Sequence, residues 1–276
     1  MKAVTNQKYL IVHMDDIGLG YAANTAAIEL FQKGIVSSAS VMVPCPWTFD
    51  FINWHRQNSK YDVGIHLTHT CEWDAYKWRP LAGKDQAPEL YNPDGFMWKG
   101  VDKEINKVSP GQVKLEMRLQ IEQAMNWGLK PSHIDTHMFA VAGVLENFKA
   151  YLDLAREYGI QAFIPQWLLW DDERRSLADN YGFPVVNNVS GIRGKGNDYA
   201  SYRESLYGTL ESVKPGLNEL IIHPVTDTPE IRAIIPSWEQ RNMEYRLFMD
   251  EETDKVIKDL GINVVNWADV KNIFKG

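Results

Sequence analysis

Residues 109–159 read SPGQVKLEMRLQIEQAMNWGLKPSHIDTHMFAVAGVLENFKAYLDLAREYG, a helix–strand–helix unit in one stretch. Ser109-Pro110 is a start signal, an N-cap followed by proline at the first helical position. Val113, Met117, Ile121, Ala124 and Met125 then fall on one apolar face, and Gly128 is a helix terminator. Residues 132–137 change to a period of two, the spacing of a strand. Leu145, Phe148, Leu152 and Ala155 return to the helical period, which stops at Gly159.

The same alternation extends in both directions. Strand-like runs lie at 9–13, 36–43, 62–67, 132–137, 161–164, 219–223 and 263–266. Several are continuously apolar, as in a parallel sheet covered on both faces. One long helix is expected over residues 237–260, with Tyr245, Phe248, Val256 and Leu260 inward. Strands alternating with helices read as βαβ units. About seven of them predict an α/β fold, an irregular (β/α) barrel that is closed or nearly so. The 276 residues contain no repeat, low-complexity tract or linker, so a single domain over 1–276 is expected.

Two segments interrupt the alternation. Residues 68–107 are rich in aromatics, with Trp73, Tyr76, Trp78, Tyr91, Phe96 and Trp98, and hold the turn signal Asn92-Pro93-Asp94-Gly95. Residues 166–200 form the other, with Gly191, Gly194 and Gly196 clustered. Loops this long in a compact domain are usually functional or mobile.

Composition narrows the function classes. A formal charge of −7 speaks against a nucleic-acid footprint. No apolar run reaches 18 residues, so no membrane span is expected. The short run at 9–12 does not resemble a secretion signal, which predicts a cytoplasmic protein unless a signal has been removed. Cys45 and Cys71 cannot make a disulfide framework and are expected as reduced, partly buried thiols. A homodimer is open as the assembly.

The polar residues at strand ends carry the chemistry. His13, His66, His69, His137 and His223 lie at or just past strand ends, and Asp15-Asp16 follows the first strand. The C-terminal ends of the strands form the active-site face of such barrels. Taken singly, the Asp pair is equally a capped turn, and a lone buried histidine is more often a hydrogen-bonded core residue. His133, Asp135 and His137, however, share one face of a strand, which is costly without metal, water or partners. A carboxylate with two imidazoles suits one divalent ion: zinc first on its nitrogen ligands, magnesium second.

Met14-Asp15-Asp16-Ile17-Gly18-Leu19-Gly20 with Asn24 resembles the opening motif of the YdjC-like (ChbG/HpnK) carbohydrate deacetylases. Residues 63–68 (VGIHLT) resemble their second motif, and 133–137 (HIDTH) their third. Ile222-His223-Pro224, followed by Arg241 and Glu244, is similar to their C-terminal region. The order matches and spans nearly the whole chain. The resemblance implies a barrel related to the polysaccharide deacetylases and removal of the N-acetyl group from an acetamido sugar. It implies metal ligation by Asp16, His66 and His137, with Asp15 as base and His223 as acid. This chain departs after His137, where Met138-Phe139-Ala140-Val141 stands in place of further histidines, so a more apolar pocket is expected there.

The chemistry fits these groups. A bound metal would polarise the acetamide and acidify its water, Asp15 would take the water proton, and His223 would protonate the leaving amine. Asp135 is expected to orient a neighbouring histidine, or else to bond the backbone. The tryptophans of 68–107 would either stack on sugar or pin their own loop. Other readings are a metal hydrolase for a different bond, a glycoside hydrolase using Asp15 with Asp135, and a non-catalytic sugar-binding protein.

Overall fold

The computed structural model describes residues 6–101 and 105–274. A parallel sheet forms its centre, in the order β5-β4-β3-β2-β1-β7-β6. The strands are β1 (Lys8–Ile17), β2 (Ser38–Val41), β3 (Asp62–Leu67), β4 (His133–Thr136), β5 (Gln161–Ala162), β6 (Asn188–Ser190) and β7 (Gly216–Ile222). An eighth, β8 (Ile262–Val264), pairs with Lys8–Leu10 at the start of β1. The sheet curls until its two edges meet. Beyond β5, Ile164 O accepts from Val186 N and Gln166 N donates to Val186 O, both at 2.9 Å. That one bridge joins the β5 edge to the β6 edge, which makes the irregular (β/α) barrel anticipated from the sequence.

Helices cover the outside: α1 (Tyr21–Lys33), α2 (Thr48–Gln57), α3 (Pro110–Asn126), α4 (Leu145–Tyr158), α5 (Asp172–Tyr181), α6 (Tyr199–Glu211), α7 (Pro229–Ile234), α8 (Trp238–Met249), α9 (Glu251–Asp259) and α10 (Trp267–Ile273). Val113, Met117, Ile121 and Ala124 of α3 are buried as their spacing requires, whereas Met125 is exposed. The main core lies between the sheet and this helical layer. A smaller cluster, including Ile11, Phe163, Val186, Leu217 and Trp267, also packs together. Among the described residues no helix is long and apolar enough to cross a membrane.

Three expectations are corrected. The single helix over 237–260 is two, because Asp250 leaves the helical region at ψ 127 and its side chain caps Glu252 N at 3.0 Å, starting α9 afresh. The strand at 263–266 is shorter, since Asn266 is the N-cap of α10 in a capping box. The break at 166–200 contains α5 and β6. Only Arg174 and Ala178 of α5 are buried, so its sequence carries almost no apolar periodicity.

The aromatic segment 68–107 is an excursion tied down by buried polar groups of α3. Glu116 accepts from Leu81 N and Ala82 N (3.0 and 2.8 Å), and Gln120 bonds the backbone N and O of Thr68 (2.8 and 2.6 Å). The Asn92 turn forms as expected, with its Oδ1 accepting from Asp94 N and Phe96 N. Trp78 packs with Leu19, Met42, Cys45, Cys71 and Met97, and Trp73 lies edge-on to it at 5.4 Å. Both cysteines are free and buried.

Candidate metal centre

Residues from four strand ends line one pocket: Asp15 and Asp16 from β1, His66 from β3, Asp135 and His137 from β4 and the turn after it, and His223 just past β7. Consecutive residues of a regular strand point to opposite faces. β1 is not regular here. Between Met14 and Ile17 its register against β2 slips by one residue, and Asp16 takes φ 63, in the left-handed region. The bulge turns both carboxylates inward.

Asp16 Oδ1, His66 Nε2 and His137 Nδ1 approach one another to 3.1–3.4 Å. Donor atoms ~2.0–2.1 Å from one ion stand roughly 2.8–3.4 Å apart at octahedral or tetrahedral angles, so the trio fits a divalent ion. The other nitrogen of each imidazole meets a carboxylate: Asp135 Oδ1 lies 2.8 Å from His66 Nδ1, and Glu72 Oε2 lies 3.1 Å from His137 Nε2. When those carboxylates take the N–H groups, three lone pairs are left facing one another, which is unfavourable without a cation among them. Metal-bound histidines are held in this way. Buried Asp16 Oδ1 receives no hydrogen bond among the described residues. Two further trios, His13/His133/Asp135 and Asp15/His66/Asp135, are also compact. Both use Asp135, whose oxygens already meet His66 Nδ1 and the Ser40 hydroxyl (2.8 Å).

The electrostatics follow from crowding. Burial alone would raise the pKa of Asp16, but Arg241, with Nη1 2.7 Å from Oδ2, and His137 hold it well below the usual carboxylate range. Burial would lower His137, yet Asp16 and Glu72 bring it up to about 9. Burial is likewise outweighed at His66, which Asp135 and Asp15 raise.

The remaining histidines divide. His223 is partly exposed; its Nε2 is 3.8 Å from Asp15 Oδ2, and its backbone N donates to Glu244 Oε2 at 2.6 Å. His13 lies fully buried, its Nε2 within 3.0–3.2 Å of Asp135 Oδ2, Ser40 Oγ and Asp15 Oδ1. His133 stacks on Trp267 at 5.2 Å, with its Nδ1 2.8 Å from Ser132 Oγ. His69 points away from the pocket toward Val113 O, and burial drives its pKa down to about 4.

Sequence reasoning missed Glu72 and Ser40, because neither stands in a motif with period or spacing. It left open whether the tryptophans of 68–107 stack on sugar or pin their own loop; Trp78 lies edge-on to His137 at 6.4 Å, and the Arg241 guanidinium lies 5.8 Å from the Trp73 ring. No tryptophan of 68–107 lines the pocket; Met138, Phe139, Phe163 and Trp167 do, giving the apolar wall expected beside His137.

Known proteins place the chain. It is 25% identical over 269 residues to a carbohydrate deacetylase of Thermoanaerobacter pseudethanolicus, covering 96% of this chain and 100% of that one. It is 28% identical over 272 residues to a carbohydrate deacetylase of Thermus thermophilus, covering 96% and 94%. The crystal structure of an Enterococcus faecalis V583 protein described as a proposed cellobiose-phosphate cleavage protein shares the fold, with TM-score 0.81, 22% identity and coverage of 96% and 99%. The model of the YdjC-like proteins matches residues 9–259, and the chain belongs to that family.

Proposed function

We propose that this protein is a metal-dependent carbohydrate deacetylase, carried by a single domain over 1–276, that hydrolyses the N-acetyl group of an acetamido sugar. The carrying observation is the donor trio Asp16, His66 and His137 at 3.1–3.4 Å, each imidazole backed by its own carboxylate. The relatives described as carbohydrate deacetylases support the substrate class.

In this reading Asp16, His66 and His137 hold one divalent ion; their two nitrogens favour zinc over magnesium. When bound, the ion supplies Lewis-acid polarisation of the acetamide carbonyl and lowers the pKa of water toward about 7. Asp15 stands beside the trio without completing it and takes the proton of the attacking water. His223, whose Nε2 is 3.8 Å from Asp15 Oδ2, gives a proton to the amine, which is too basic to leave as an anion. Asp135 and Glu72 fix the ring orientations of His66 and His137. Arg241 offsets the second charged oxygen of Asp16.

The glycoside hydrolase reading fares worse. It needs two carboxylates open to substrate about 5–10 Å apart. Asp135 is buried, and its oxygens are taken up by His66, Ser40 and His13.

The test is acetate release from a panel of N-acetylated mono- and oligosaccharides by metal-loaded protein. Activity that persists in full after exhaustive chelation, with no metal detectable, rejects the mechanism. Release from no member of the panel rejects the function.

A further inference from the structure

The end of the barrel opposite the metal centre carries a second pocket, of about 460 Å³. It opens where β3 and β4 begin: Asp62 is the first residue of β3, and Ser132 immediately precedes β4. His66 stands four residues further along β3, roughly 13 Å away at the rise of a strand. None of the residues assigned to the metal centre lines this pocket.

Its wall is basic. α2 and α3 both finish here, and Arg56, Lys60 and Lys130 come from their ends and the turns that follow. Basic side chains at helix C-termini usually bond the last carbonyls or offset the helix dipole. These three make no hydrogen bond and no ion pair among the described residues, although the chain as a whole carries a charge of −7. Lys60 rests over the Tyr61 ring, with Nζ 4.9 Å from its centroid. The Arg56 stem lies across Gly128, where a Cβ would stand 3.1 Å from Cδ and 3.2 Å from Nε.

The other polar groups of the wall do not neutralise those cations. Asp62 is its one carboxylate. Oδ1 of Asp62 accepts from the Ser38 and Ser132 hydroxyls at 2.6 and 3.0 Å, and Oδ2 accepts from Ala268 N at 3.1 Å. Burial raises its pKa against the effect of those bonds. Buried His55 has Nε2 2.9 Å from Tyr61 O and no partner for Nδ1 among the described residues. A buried ring nitrogen without a partner is costly, and a ligand in the pocket can supply one.

We propose that this pocket binds a phosphate group, either free or at the end of a small organic ester. The choice of ligand follows from the wall. A forked guanidinium and two ammonium groups match the spread charge of a tetrahedral dianion, whereas a single carboxylate would leave most of that charge unmatched. A nucleic acid would need a broad basic face; here the cations line a concave site of small-molecule size in an acidic protein. The site stands whatever bond the metal centre cleaves.

The experiment titrates metal-loaded wild type, Arg56→Gln, Lys130→Gln and the double variant calorimetrically, at matched ionic strength. The ligands are inorganic phosphate and glycerol 3-phosphate, with glycerol as the neutral control. Each single substitution should weaken the tighter ligand by about tenfold or more, the scale of a lost charge-assisted hydrogen bond, and the double variant should weaken it further. Both side chains are exposed, so melting temperatures without ligand should match wild type. Tighter binding of the ester identifies an organic phosphate as the occupant, and equal or tighter binding of inorganic phosphate identifies the free ion. Affinities that are the same in wild type and the double variant place the anion elsewhere, the metal centre included, and overturn the proposal. So does the absence of binding by either phosphate at millimolar concentration, or binding of glycerol as tight as that of its phosphate.

Discussion

Asp15 and Asp16 are consecutive in β1, yet both carboxylates approach one imidazole, with Asp15 Oδ2 3.9 Å and Asp16 Oδ1 3.4 Å from His66 Nε2. Only Asp16 also reaches His137, at 3.1 Å. In the proposed mechanism this difference separates the pair by role. Asp16→Asn should lose metal and turnover together, because an anionic donor becomes neutral. Asp15→Asn should keep its metal and lose roughly 10²–10⁴ in kcat, the worth of a positioned base. Metal content measured beside kcat for both variants decides it. Metal lost from Asp15→Asn and kept by Asp16→Asn would reverse the roles.

The carboxylates behind the imidazoles predict a graded loss. Asp135→Asn and Glu72→Gln keep the shape and remove the charge that holds His66 Nδ1–H and His137 Nε2–H. Each should weaken metal affinity by about 10–100-fold, as such partners usually do. Competition with a chromophoric chelator reads the change. The two variants should differ in stability: Asp135 is buried among three other polar side chains, whereas Glu72 belongs to the pocket rim. Unchanged affinity in both would mean that the imidazoles are oriented by packing alone.

Much of this was legible in the sequence, for identifiable reasons. The barrel could be read because β1, β3 and β7 are apolar runs and α3 and α4 carry full helical periods between clean start and stop residues. Asp15, Asp16, His66 and His223 stood out because they terminate those runs, and His137 because it ends the alternating run from His133. Glu72 did not, because it reaches His137 from an irregular segment whose course is set by Glu116 and Gln120, 44 and 48 residues further on. The inward turn of Asp16 was equally hidden, since a bulge is a property of two paired strands and not of either alone. Whether Trp73, Trp78 and Trp98 meet sugar or pin their loop stayed open, because composition cannot tell an aromatic that packs from one that is presented to solvent.

Gly64 marks a close approach inside the barrel. A Cβ there would stand 2.6 Å from both ring nitrogens of His133. That ring cannot yield easily, since it stacks on buried Trp267 and meets His13 edge-on at 5.0 Å. Gly64→Ala should therefore destabilise by about 1–3 kcal/mol, the usual cost of overpacking. It should also disturb the His13 contacts beneath Asp15. Urea unfolding with an unchanged m-value checks the first part. A variant as stable as wild type would show that the ring has room to move.

Glu219 supplies a pH dependence of stability. It faces the barrel interior from β7, where it is paired in register with Ile11, and its Oε2 has no hydrogen-bond partner among the described residues. Burial, opposed by the charge of His13 and aided by those of Asp135, Asp15 and Asp62, raises its pKa to about 8. The unfolded chain ionises this group near ~4.3. A raised folded-state pKa makes its contribution fully present below ~4.3 and progressively lost as pH rises toward about 8, above which the loss is complete. Between those limits the unfolded state binds fewer protons than the folded one, so this residue lowers stability by roughly 1.4 kcal/mol per pH unit. Glu219→Gln cannot ionise and is nearly isosteric. Its stability, relative to wild type, should improve steadily from pH 5 to pH 8, and the difference should level off above that. Paired urea melts of the two proteins across that range measure it. A difference that does not change with pH would place the Glu219 carboxyl at its ordinary pKa and leave its burial without an electrostatic consequence.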